Sequence, residues 1–168
     1  MNCMRCGRCC TSFGVCITPF DIERISQATG MDPILFVMAI PEPPEREREE
    51  PAVLINGKKS LIVLRWSREN ICAFYSATGC KIYENRPMLC RTYPFNLDKN
   101  KKLVNMNSRA CPKKWTPESK RGYLEDLKKY KKEIEAYQKI AGEWNAKDGG
   151  TLRSFLDFAL RRNKPNTL

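Results

Sequence analysis

Cysteine is the residue with chemistry to offer in this chain. Cys3, Cys6, Cys9 and Cys10 form a C-x2-C-x2-C-C run within eight residues, and Cys72, Cys80, Cys90 and Cys111 follow at wider spacings. Thiolate is a soft donor that suits zinc and iron–sulfur clusters. Eight thiolates are enough for two four-sulfur sites. The ninth cysteine, Cys16, reads as a buried spare, because free Cys packs like a small apolar residue. The chain has no histidine. That excludes His-containing zinc sites, haem held by His, and Ser-His or Cys-His catalytic pairs.

Spacing bears on the metal. A single zinc held by sulfur usually draws on paired C-x2-C knuckles from two places in the chain. Three cysteines at steps of three in one loop instead resemble the iron–sulfur run C-x2-C-x2-C. There, successive thiolates reach different irons of one cube, and a last Cys before Pro serves a second cluster. Cys10 could fill that second role, since adjacent side chains diverge. Cys111 precedes Pro112. The expected cofactor is an iron–sulfur cluster of the 4Fe-4S type, one or two, with zinc as the alternative. Gly7, between two of the cysteines, would let backbone N–H groups approach metal-bound sulfur. Arg5, Arg8, Arg86, Arg91 and Arg109 each lie within four residues of a candidate ligand and could neutralise the site.

The net charge of +11 is unevenly spread. Residues 51–116 carry 13 basic and 3 acidic side chains and hold four of the nine cysteines. Two readings follow: a nucleic-acid surface, or compensation of negative metal–thiolate centres. Compensation is preferred, because the basic residues lack the interleaved aromatics on which single strands stack. No apolar run approaches the roughly 18 residues of a membrane span, so no membrane partner is expected. The opening Met-Asn-Cys-Met-Arg-Cys has none of the features of a signal peptide. The expectation is a cytoplasmic protein with reduced thiols rather than a disulfide scaffold.

Two stretches carry a family resemblance. The opening Cys3-Met-Arg-Cys6-Gly7-Arg-Cys9-Cys10 and the segment Gly79-Cys80-Lys-Ile82-Tyr83-Glu84-Asn-Arg86-Pro87-Met-Leu-Cys90-Arg91-Thr-Tyr93-Pro94-Phe95 resemble the CxxCxxCC, or YkgJ-like, cysteine-cluster proteins. The resemblance runs from Cys3 to Cys111. It implies a zinc- or iron-chelating domain with Cys3, Cys6, Cys9, Cys10, Cys72, Cys80, Cys90 and Cys111 as ligands, the same set reached by counting. Cys16 falls outside the pattern. The family includes flagellin lysine N-methylase, which raises a second reading as an S-adenosylmethionine-dependent protein methyltransferase. Against it, no G-x-G-x-x-G follows an expected strand, and the chain lacks the C-x3-C-x2-C run of radical chemistry. Glu84, a carboxylate that could act as a base, is better read as a partner of nearby Arg. Whether the protein is an enzyme stays open, as does an unidentified protein partner; nucleic acid is the third, less favoured reading.

Positioning these cysteines requires a scaffold. Residues 1–17 read as a cysteine-rich loop. Thr18-Pro19-Phe20-Asp21 reads as a helix start with Thr18 as cap, ending near Gly30. Asp32-Pro33 opens a second short helix that is expected to run through Ile40. Pro41 to Pro51 is a polar loop. Ala52–Ile55 and Ser60–Trp66 flank Asn56-Gly57, a strong hairpin signal. A second hairpin pairs Phe95–Leu97 with Leu103–Met106 around Asp98–Lys102. The stretch 67–94 between the hairpins reads as irregular. Thr116-Pro117-Glu118 opens the longest helix. Its apolar residues Tyr123, Leu127, Tyr130, Ile134, Tyr137, Ala141 and Trp144 make one stripe, which a surface helix normally buries. Gly149-Gly150 breaks the chain before a last helix over about Leu152–Arg162. The expected fold is α+β: a small antiparallel sheet and irregular metal loops, with N-terminal helices and a two-helix tail. The expected division is 1–115 as the cysteine-cluster domain and 116–168 as a helical extension packed on it.

Overall fold

The computed structural model describes residues 5–12, 14–44, 49–67, 69–105, 110–111 and 120–163, without the Lys120 side chain. Cys3, Arg109 and the Thr116 helix start lie outside the described residues. The architecture is α+β, with small antiparallel sheets and helices towards both ends.

Thr18 and Asp21 start α1 (Pro19–Thr29) by capping each other. The Asp21 N–H donates to Thr18 Oγ1 at 3.1 Å, and the Thr18 N–H donates to Asp21 Oδ2 at 3.0 Å. This reciprocal pair satisfies two donors that the helix itself cannot. Gly30, in the left-handed region at φ 69°, ends α1.

The second helix is shorter than expected. Asp32 caps α2 (Pro33–Phe36), but the chain then extends as β1 (Val37–Pro41). An apolar run such as Ile34 to Ile40 fits either state, and here pairing with β3 decides it. β2 (Val53–Ile55) and β3 (Lys58–Leu64) form the expected hairpin, with Asn56 and Gly57 both left-handed at φ 50° and 73°. The sheet order is β1-β3-β2, all antiparallel. β2 covers only the Lys58–Ser60 part of its edge of β3. Farther along, residues leaving the cysteine loop take over. The Ile17 N–H donates to the Ile62 carbonyl at 3.1 Å, and the Leu64 N–H to the Val15 carbonyl at 2.9 Å. Cys16, between them, is buried against Leu61 and Val63.

The stretch read as irregular contains short ordered pieces. A two-rung hairpin pairs β4 (Tyr75–Ser76) with β5 (Gly79–Cys80), a 3-10 turn covers Tyr83–Asn85, and α3 spans Met88–Thr92. Such short pairings rest on a few loop residues, for which sequence periodicity gives no signal. The second hairpin follows as β6 (Phe95–Leu97) and β7 (Leu103–Asn105), and Phe95 packs on Tyr123 with ring centres 4.7 Å apart.

α4 (Lys120–Asn145) buries all seven residues of the expected stripe, and Ile140 with them. Its end grips β2: Trp144 Nε1 donates to the Leu54 carbonyl at 2.9 Å, while Asn145 bonds the Leu54 N–H and the Ala52 carbonyl. A Cβ on Gly149 would lie 2.3 Å from the Leu54 oxygen, so only glycine fits that turn. α5 (Leu152–Asn163) adds Phe155, Leu156 and Ala159 to a core shared with Ile22, Phe36, Val53 and Tyr137. Among the described residues, no helix is long and apolar enough to cross a membrane.

Candidate metal centre

The N-terminal loop and the 72–90 segment meet through the backbone. The Cys72 N–H donates to the Cys10 carbonyl at 2.9 Å. Cys72 is itself bridged to Trp66 at the end of the central strand, and its carbonyl accepts from the Tyr75 N–H at 2.9 Å. Tyr75 pairs across β4–β5 with Cys80. Thus Cys10, Cys72 and Cys80 are joined by main-chain contacts, although 70 positions separate the first from the last.

The thiols also sense one another. The Cys10 S–H donates to the Cys9 sulfur, which lowers the Cys9 pKa to about 7 against the opposing effect of burial. The same bond, and then burial, push the Cys10 pKa well up. Burial raises Cys72, and the charges of Cys80 and Cys9 add to it. Cys90 is half-buried as a residue, but its thiol is densely surrounded; desolvation raises its pKa strongly, followed by the charges of Cys9 and Cys72. Cys111 enters the group through Tyr93, whose hydroxyl is raised first by burial and then by the charges of Cys111 and Cys9. Cys9, Cys10, Cys72, Cys80 and Cys90 therefore share one neighbourhood, and Cys111 lies, with Cys9, near the Tyr93 hydroxyl. Cys6 is exposed, and no disulfide joins two of the described cysteines. Among the described residues, no three cysteine, aspartate or glutamate side chains close to the spacing of a single-ion site.

Gly7 has a tighter role than its sequence position indicated. A Cβ there would lie 2.2 Å from Tyr75 Cζ and Oη, and its φ is 75°. The loop backbone thus rests directly on the Tyr75 ring, beside the Cys72–Cys80 turn. Tyr83 makes a second clasp. The Arg5 and Arg86 guanidinium carbons lie 3.8 and 4.0 Å from its ring centre. Both lie over the ring, a cation–π arrangement. Arg5 also approaches Glu84 at 4.0 Å, the pairing expected for that carboxylate. Arg86 donates to the Tyr83 carbonyl, and Arg91 to the Glu84 and Arg86 carbonyls. Arg86 and Arg91 thereby brace the turn before α3.

Tyr75 carried no motif signal, and Tyr83 stood in the second family segment with no role assigned to it. Asp21 and Glu133 form a buried pair around Arg24; the one available hint was a charge, Glu133, set inside the apolar stripe between Tyr130 and Ile134.

The thiol-only donor set fits zinc or an iron–sulfur cluster in chemistry. A family model, CxxCxxCC, matches residues 2–112, two thirds of the sequence. The chain belongs to this family. The family is described as a "Putative zinc- or iron-chelating domain". No curated protein and no solved structure matches the chain. α4 and α5 lie beyond the matched residues, yet α4 packs on α3 and β2, and α5 on α1.

Proposed function

We propose that the protein holds a metal centre on Cys3, Cys6, Cys9, Cys10, Cys72, Cys80, Cys90 and Cys111, an iron–sulfur cluster in preference to zinc. The observation that carries the reading is the Cys72 N–H to Cys10 carbonyl bond of 2.9 Å, by which the chain itself seats the two cysteine sets together. Three cysteines at steps of three in one loop, rather than paired C-x2-C knuckles, favour a cluster over a single tetrahedral zinc. When bound, the metal would supply the positive charge that lets the buried thiols exist as thiolates.

The Cys9 thiol is lowered towards neutral pH, with Cys10 donating to its sulfur. Burial disfavours the ionised form of Cys72 and Cys90, a cost that a bound metal would offset. The loop backbone at Gly7, seated on Tyr75, keeps the N-terminal cysteines close to the second set. Such a centre would tie the N-terminal loop to the 72–111 segment and serve structure, electron transfer or partner recognition.

The test is purification without oxygen, followed by metal analysis and visible spectroscopy. Iron with acid-labile sulfide and a broad thiolate-to-iron absorption supports the preferred reading. Colourless protein with bound zinc selects the alternative. A protein that takes up neither, even when both are supplied during refolding, overturns the proposal.

A further inference from the structure

One buried carboxylate holds two helix starts. Asp21 is fully buried and, besides capping α1, its Oδ1 accepts the Met88 N–H at 2.9 Å. Met88 is the first residue of α3, and Pro87 before it provides no side-chain cap. The acceptor for that turn therefore comes from another element. Cys90 sits two residues on, in the same short helix.

Asp21 is fixed in turn by α4. Arg24 Nη2 bonds Asp21, while Nη1 and Nη2 donate to Glu133 Oε1 and Oε2 at 2.6 and 2.9 Å. Thr18 Oγ1 lies 3.1 Å from Asp21 Oδ2 and 3.4 Å from Glu133 Oε2. Glu133 is 5% exposed. Met88 packs below the group against Tyr130 and Ile134 of α4. Charge-assisted, bidentate bonds of this kind fix geometry as well as energy.

We infer that Asp21 is a positioning residue for Cys90: it sets the first turn of α3, and Glu133 of the C-terminal helix locks it there through Arg24. The inference rests on Cys90 being a metal ligand, as proposed above. It extends the metal-holding machinery to a helix beyond the family match.

The probe is Co2+, titrated without oxygen into the full chain and into Asp21→Ala, Asp21→Asn, Glu133→Gln, Cys90→Ser and Asp21→Ala/Cys90→Ser. The thiolate-to-cobalt absorption per bound ion counts cobalt–sulfur bonds at saturation, a readout that lowered global stability does not move. Removing a residue that orients a ligand costs about 10- to 100-fold in metal affinity. Asp21→Ala should lose that much and show the reduced absorption of Cys90→Ser. In the Cys90→Ser background it should cost nothing further. Asp21→Asn keeps an acceptor for the Met88 N–H and should recover most of the loss. Should Asp21→Ala fail to fold by circular dichroism, Glu133→Gln takes its place, with a smaller loss that again vanishes in the Cys90→Ser background. Unchanged affinity and absorption in the variants, or losses that simply add to those of Cys90→Ser, overturn the positioning role while leaving the metal site standing. A wild-type protein that shows no thiolate-to-cobalt absorption and also takes up neither iron nor zinc on refolding overturns both.

Discussion

Gly7→Ala separates two costs at one residue. Its φ of 75° places any L-residue in the left-handed region, at about 1–2 kcal/mol. Its added methyl would also sit 2.2 Å from Tyr75 Cζ, where carbon contacts need about 3.5–4.0 Å. The ring or the loop must retreat by more than an ångström, and forced overpacking costs about 1–3 kcal/mol. Together these predict a loss of about 2–5 kcal/mol in the metal-loaded protein. Gly57 supplies the control. Its φ is 73°, almost the same, but a Cβ there meets nothing within 4 Å, so Gly57→Ala should cost only the backbone part. The assay is denaturant unfolding of the metal-loaded variants, with Zn2+ competition against a chromophoric chelator to catch a loop that lifts off without global unfolding. Removing the ring first, in Tyr75→Ala, should reduce the further cost of Gly7→Ala to that of Gly57→Ala. If Gly7→Ala costs no more than Gly57→Ala in both measurements, the loop does not rest on Tyr75, and the reasoning fails.

Other consequences can be measured directly. The Tyr137 hydroxyl is buried without a hydrogen-bond partner among the described residues, and an unmet buried polar group costs about 1–3 kcal/mol; Tyr137→Phe should therefore raise stability in denaturant by about 1 kcal/mol, and a loss would contradict this. Arg153 holds the Asp32 carboxyl below its usual range, first through their hydrogen bond. A depressed carboxylate pKa stabilises the fold above the unfolded pKa, and that support is lost as pH falls through the folded one. The melting difference between wild type and Arg153→Met should thus be present at neutral pH, shrink with salt, and close in strong acid. Because burial holds Cys72 and Cys90 protonated, metal uptake should release protons, and affinity should climb from mildly acid to mildly alkaline buffer; a flat profile would argue against thiol ligands. Stripping the metal should lower the melting temperature sharply, since it removes a tie between segments far apart in sequence, and an unchanged melt would speak against the centre.

Local rules account for much of what was legible beforehand. Thr18, Pro19 and Asp21 announce a helix start through hydrogen bonds that close within four residues, and Asn56-Gly57 announces its turn through backbone geometry alone. The α4 stripe was readable because helical period is a property of the segment itself. The misjudged stretch, Val37–Ile40, depends on something remote: whether β3 stands alongside. The cysteines were legible as candidate donors by residue type and spacing. What brings them together was not: the Cys10–Cys72 backbone bond, the Tyr75 ring under Gly7 and the Asp21 bridge to Met88 join residues whose separation of 62 to 68 positions leaves no periodic trace.

The shared core has a practical side. Tyr137, Trp144, Phe155 and Leu156 close over Ile22, Phe36 and Val53, and the first four come from beyond the family match. Cutting the protein at that boundary would leave a wide greasy face open to water, a recipe for sticking to neighbours. The cysteine-bearing segments and the two last helices therefore stand or fall together as one folded body in this chain.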